Sequence, residues 1–129
     1  MSFPKELRYT KSHEWARQEG GKIMVGITDY AQNEISDVVF IELPKQGQLC
    51  EKEKPAAVVE SVKAAFDIYA PVSGKIGKVN TELEANPAIV NSDCYGKGWF
   101  FEIEGASDAD WNALMDSASY EAHLNQEAK

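Results

Sequence analysis

Apolar and polar positions mix along Tyr9-Thr10-Lys11-Ser12-His13-Glu14-Trp15-Ala16-Arg17, and apolar residues return in Lys22-Ile23-Met24-Val25-Gly26-Ile27, with Gln18-Glu19-Gly20-Gly21 between them. Two such runs joined by a glycine-bearing turn predict a β-hairpin. Thr28 and Asp29 then offer side-chain oxygens to the unpaired amides of a first helical turn, so a helix of two turns is expected through Ile35. The β-branched and aromatic run Asp37-Val38-Val39-Phe40-Ile41-Glu42-Leu43 predicts a strand, closed by Pro44 and Gly47.

From Gly47 to Gly98 short apolar runs alternate with turn residues: Val58-Val59, Ile68-Tyr69, Ile76-Gly77-Lys78-Val79 and Ile89-Val90. Many short strands at this spacing predict a sandwich or barrel. Pro55-Ala56-Ala57-Val58 is echoed by Pro87-Ala88-Ile89-Val90, which raises the expectation of two similar β units. Gly98 to Glu104 reads as a last strand. After it, Ser107 or Asp108 opens a helix carrying Trp111, Leu114, Met115 and Ala118 at helical spacing, and a final short helix capped by Ser119 carries Tyr120 and Leu124.

At 129 residues, 43% hydrophobic and 26% charged, the chain suits one compact domain over 1–129, its β core about 20–104 and its C-terminal helices about 108–125. The net charge of −8 makes nucleic acid and anionic membranes poor partners, and residues 102–129 hold seven acids against one base. No stretch approaches the ~20 apolar residues that cross a bilayer, and the start lacks a signal-peptide core. A cytoplasmic location is expected, or the mitochondrial matrix if a transit peptide has been removed. Cys50 and Cys94 are too few for a disulfide framework, and with His13 and His123 they form no zinc spacing, so two plain thiols and no metal are expected.

General enzyme signatures are missing: there is no glycine-rich phosphate loop, nucleophile elbow or H-E-x-x-H. His13 and Glu14 are adjacent, and neighbouring strand residues point to opposite faces, which argues against an acid–base pair. The informative stretch runs from Val58 to Gly74. It sets Lys63 between apolar runs, with small Ala64 and Ala65 directly after it. One reading is a gatekeeper charge that keeps an edge strand from pairing with another chain. The other is a tight turn between Val58–Val62 and Ile68–Ala70 that holds the amine clear for a modifying enzyme. Acylation there removes the charge and lengthens a flexible stem.

At these residues the sequence resembles the glycine cleavage H-protein family of lipoyl carriers. The resemblance rests on ESVKAA and DIYAPVSG around Lys63, and on SHEW (Ser12 to Trp15), GITDYAQ, DVVFIELP, IVNSD and YGKGW in order along the chain. It implies a mainly β, hammerhead-like lipoyl fold, a barrel-sandwich hybrid of two antiparallel sheets with short peripheral and C-terminal helices. Lys63 would carry lipoate in amide linkage, recognised through Glu60, Ser61, Val62, Ala64 and Ala65 by a lipoate ligase or a lipoyl/octanoyl transferase. Biotin carriers usually place Met on both sides of the lysine, where this chain has Val62 and Ala64.

The family is non-catalytic. Its arm accepts the aminomethyl group of glycine at the P protein (glycine decarboxylase) and presents it to the T protein (aminomethyltransferase), and the L protein reoxidises the arm. By resemblance, Ser12, Glu14 and Asp67 line a cleft for the aminomethyl group; the plain alternative is solvated polar residues at strand ends. Phe66, Cys94 and Glu34 depart from the family pattern. Two other readings stand beside this one: an H-protein-like lipoate-binding protein of a heterodisulfide-reductase-like sulfur oxidation system, and an unmodified interaction module or lipoyl relay. A monomer is expected.

Overall fold

The computed structural model describes residues 1–127 of the chain, so the last two positions of the expected 1–129 domain lie outside the described residues. Among the described residues, nine strands run as β1 (Arg8–Tyr9), β2 (Glu14–Glu19), β3 (Lys22–Ile27), β4 (Val38–Glu42), β5 (Leu49–Cys50), β6 (Pro55–Ser61), β7 (Ala65–Tyr69), β8 (Gly74–Val79) and β9 (Phe101–Glu104). The described residues also form five helices, α1 (Asp29–Ile35), α2 (Glu82–Ala85), α3 (Ile89–Ser92), α4 (Asp108–Asn112) and α5 (Ser117–Glu127), between and after the strands. The strands form two antiparallel sheets, one ordered β1-β2-β3-β9-β8-β5 and one ordered β4-β6-β7. The expected mainly β architecture of two antiparallel sheets is therefore present, and neither sheet closes on itself.

The predicted hairpin forms with Gly20 and Gly21 at its turn, both at positive φ, where a Cβ would be strained. Alternation then buries both faces of β2. Ala16 enters the main core with Val25, Ile41, Val59, Ile76 and Ile103, whereas Trp15 enters a second cluster with Leu7, Tyr9 and Tyr120. Fully burying such side chains contributes about 1.5–3 kcal/mol each. Thr28 caps α1 as expected, its hydroxyl accepting from the Ala31 amide at 3.2 Å.

Five local expectations are corrected. Ile89-Val90 is helical rather than a strand, because the Pro87 and Ala88 carbonyls take the Val90 and Asn91 amides and wind the chain into a turn. The echo of 55–58 at 87–90 thus joins a strand to a helix and marks no repeated β unit. The helix from Ser107 ends at Asn112 instead of running through Ala118. Met115 exchanges both main-chain hydrogen bonds with Tyr9, at 2.8 and 2.9 Å, and this bridge draws the chain out of helical geometry. Ser119 does not cap the last helix: α5 begins at Ser117, and the Asp116 carboxylate accepts from the Ser119 amide at 2.8 Å. The last strand begins at Phe101, three residues after Gly98.

Candidate functional site

Lys63 stands in the turn joining β6 to β7, outside any helix and exposed to solvent. The turn is built by Ser61. Its amide donates to the Ala64 carbonyl at 2.9 Å, while its buried hydroxyl accepts from the Lys63 amide at 3.1 Å and the Ala64 amide at 3.4 Å. Neither Val62 nor Lys63 needs a left-handed conformation. Main-chain carbonyls from the last turn of α1 and from its link to β4 hold the turn from one side: the Asp37 carbonyl accepts from the Val62 amide at 3.1 Å, and the Glu34 carbonyl accepts from Lys63 Nζ at 3.0 Å.

The other hairpin residues take up distinct places. Glu60 and Ala65 face each other across the β6–β7 ladder on its solvent side, Ala64 is exposed, and Val62 is 66% exposed at the tip. Phe40 lies opposite Glu60 on the other side, and a bulge leaves Val39 exposed beside it. The lysine thus stands among small and apolar groups, its amine exposed and held by one hydrogen bond to the Glu34 carbonyl.

Glu14 is a buried carboxylate, 1% exposed, where β2 begins. A tight loop from Thr10 to Glu14 folds two hydroxyls onto it: Thr10 Oγ1 and Ser12 Oγ each donate to Oε1 at 2.6 Å. The Tyr69 amide of β7 donates to Oε2 at 3.2 Å. Burial raises the Glu14 pKa above the ordinary carboxylate value, and the three donors oppose the rise. Glu14 borders a groove of about 560 Å³, lined also by Thr10, Ser12, Lys52, Tyr69 and Leu114. A buried acceptor facing such a groove suits a cationic amine, because charge-assisted hydrogen bonds exceed neutral ones.

Of the three expected cleft residues, Ser12 and Glu14 meet directly. Asp67 lies on β7 two residues before Tyr69, exposed and hydrogen-bonded to neither of them. Thr10 and the Tyr69 amide were not anticipated. The Thr10-x-Ser12-x-Glu14 spacing hinted at the first, whereas nothing local indicates an amide from the other sheet.

His13 and Glu14 point apart, but not by strand alternation. His13 lies in the loop at φ +76°, and its Nδ1 meets the Tyr120 hydroxyl at 2.8 Å while Nε2 is 3.3 Å from Glu127. Cys50 and Cys94 are both free thiols.

The chain matches the family model described as glycine cleavage H-protein over residues 7–127. It is 51% identical to a glycine cleavage system H protein of Thermus thermophilus, over 99% of this chain and all of the relative. It is 56% identical to that of Bradyrhizobium diazoefficiens, over 89% of this chain and 94% of the relative. The crystal structure of a glycine cleavage system H protein from Mycobacterium marinum superposes with a TM-score of 0.85 at 31% identity, covering 95% of this chain and 99% of that one. Taken with the two-sheet fold and the exposed hairpin lysine, these matches establish that the chain belongs to the glycine cleavage H-protein family.

Proposed function

We propose that this chain carries lipoate on Lys63 and shuttles the aminomethyl group of glycine from the P protein to the T protein, performing no turnover itself. Family membership makes it a carrier of glycine cleavage, and the relatives' shared name favours this over the sulfur-oxidation reading. The observation that carries the site assignment is the position of Lys63, exposed in a turn where small Ala64 and Ala65 directly after it leave room for a modifying enzyme.

The residues present fit the group. Lipoate, when bound, supplies a dithiolane that accepts and releases the one-carbon unit. Ser61 holds the turn, Glu60, Val62, Ala64 and Ala65 offer the surface that a lipoate ligase or lipoyl/octanoyl transferase reads, and the Glu34 carbonyl keeps one acceptor for an N–H at Nζ. Glu14, flanked by Ser12, accepts a hydrogen bond from an amine in the groove, and Asp67 adds negative charge along the approach from Lys63. The four residue steps from Ala65 to Tyr69 span ~13 Å at ~3.3 Å per residue, which places the groove within reach of an extended arm. The P, T and L proteins are the partners, the active form is a monomer, and the cytoplasm is its location; no described helix is long and apolar enough to cross a membrane.

The test is intact-mass measurement of wild type and Lys63→Arg from lipoate-competent cells. A lipoyl adduct confined to the wild type supports the reading, and an unmodified wild type overturns it. Glycine decarboxylase with labelled bicarbonate should then show glycine exchange dependent on the lipoylated form.

A further inference from the structure

The geometry points to Asn91 as a positioning residue for the turn that bears Lys63, and this inference rests on Lys63 being the modified lysine. Asn91 lies on α3, away from the turn, and its side chain makes three hydrogen bonds to one short segment. Oδ1 accepts from the Val38 amide at 2.9 Å, and Nδ2 donates to the Ser36 carbonyl at 2.9 Å and to Gln32 Oε1 at 3.2 Å. One amide side chain therefore fastens the end of α1 to the start of β4.

That segment also receives the lysine turn, through the Glu34 carbonyl to Lys63 Nζ and the Asp37 carbonyl to the Val62 amide. Between these two acceptors sits Ser36, at φ +68° and ψ −154°. This backbone region belongs almost exclusively to glycine, and other residues persist there only when their surroundings hold them. The Asn91 donor on the Ser36 carbonyl, with its acceptor on the Val38 amide, supplies that hold. Without it, Ser36 relaxes and both acceptors move, so the turn loses its fixed presentation.

The test compares wild type, Asn91→Ala and Asn91→Asp, with Ser36→Gly added to Asn91→Ala. Each is assayed with a lipoate ligase, lipoic acid and ATP, and amide exchange is followed by NMR. In Asn91→Ala, the Val62 amide should exchange about tenfold faster while the β3–β9 amides keep their protection, reflecting a local opening. Lipoylation kcat/KM should fall several-fold through KM, and Ser36→Gly should restore part of it because glycine accepts the strained geometry unaided. Asn91→Asp keeps the Val38 acceptor, lacks the Ser36 donor and should behave like the alanine variant, which serves if the latter does not fold. Unchanged Val62 exchange and unchanged KM in a folded variant overturn the inference. A wild type that the ligase leaves unmodified overturns the Lys63 reading instead, and Val62 exchange still decides the role of Asn91.

Discussion

The Tyr69 amide donates to Glu14 Oε2 at 3.2 Å, so a strand of the three-stranded sheet is hydrogen-bonded to a buried carboxylate at the start of a strand in the six-stranded sheet. Thr10 and Ser12 complete the set of donors. Removing the carboxylate in Glu14→Ala leaves the Tyr69 amide and two hydroxyls without their acceptor, at a cost of about 1–3 kcal/mol. Urea denaturation should show the loss as a lower midpoint.

The same carboxylate gives a pH signature. Its folded pKa is raised by burial, so the native state holds the proton more tightly than the unfolded chain. The resulting stabilisation is complete below the unfolded value and is lost as pH rises through the folded one. Urea midpoints of wild type minus Glu14→Gln should therefore fall as pH rises upward from the ordinary Glu value of 4.5. A flat difference would contradict the raised pKa.

Gly26 faces Trp15 across the β2–β3 ladder, and a Cβ there would lie 2.6 Å from two carbons of the buried indole. The ring is fixed by Nε1, which donates to the Cys94 carbonyl at 2.9 Å. Gly26→Ala should destabilise by about 1–3 kcal/mol through overpacking, read from thermal or urea unfolding.

His13 should show the opposite pH dependence. Burial lowers its pKa from 6.5, against the pull of Glu127 and Glu34 and with the repulsion of His123. Its contribution is therefore present above the unfolded value and lost as pH falls through the lower folded value. His13→Asn should flatten the acid side of the stability profile. Tyr120→Phe, which removes hydrogen bonds to His13 and Thr28 at 2.8 Å each, should lower stability by about 1–3 kcal/mol.

The thiols should differ in reactivity. Burial pushes the Cys94 pKa up to about 12, and Cys50 is only half-buried, with a smaller rise. Iodoacetamide followed by peptide mass analysis should label Cys50 first. Cys94 should react at the rate of unfolding.

Much of the β framework was legible in sequence because its signals are local. The Gly20–Gly21 turn, the Thr28 cap and the alternating burial of β6 each depend on residues within a few positions, and so does the Ser61 turn around Lys63. Ile89-Val90 misled because a short apolar run has the same composition in a buried strand and in a helical turn. The Trp111–Ala118 periodicity likewise contained no trace of the Tyr9–Met115 bridge that ends the helix.

The sequence by itself determined the order of the main strands along the chain, the small residues directly after Lys63 and, through its family blocks, the carrier class. Periodicity, cap chemistry and turn residues act over a few positions, and those positions are adjacent in the chain. Only the tertiary structure decided that Glu14 is buried and met by an amide 55 residues away, that Asp67 is hydrogen-bonded to neither Ser12 nor Glu14, and that Asn91 fastens the segment receiving Lys63. These relationships arise when the two sheets and α3 pack together. Burial and long-range hydrogen bonding depend on that packing, which no local pattern encodes.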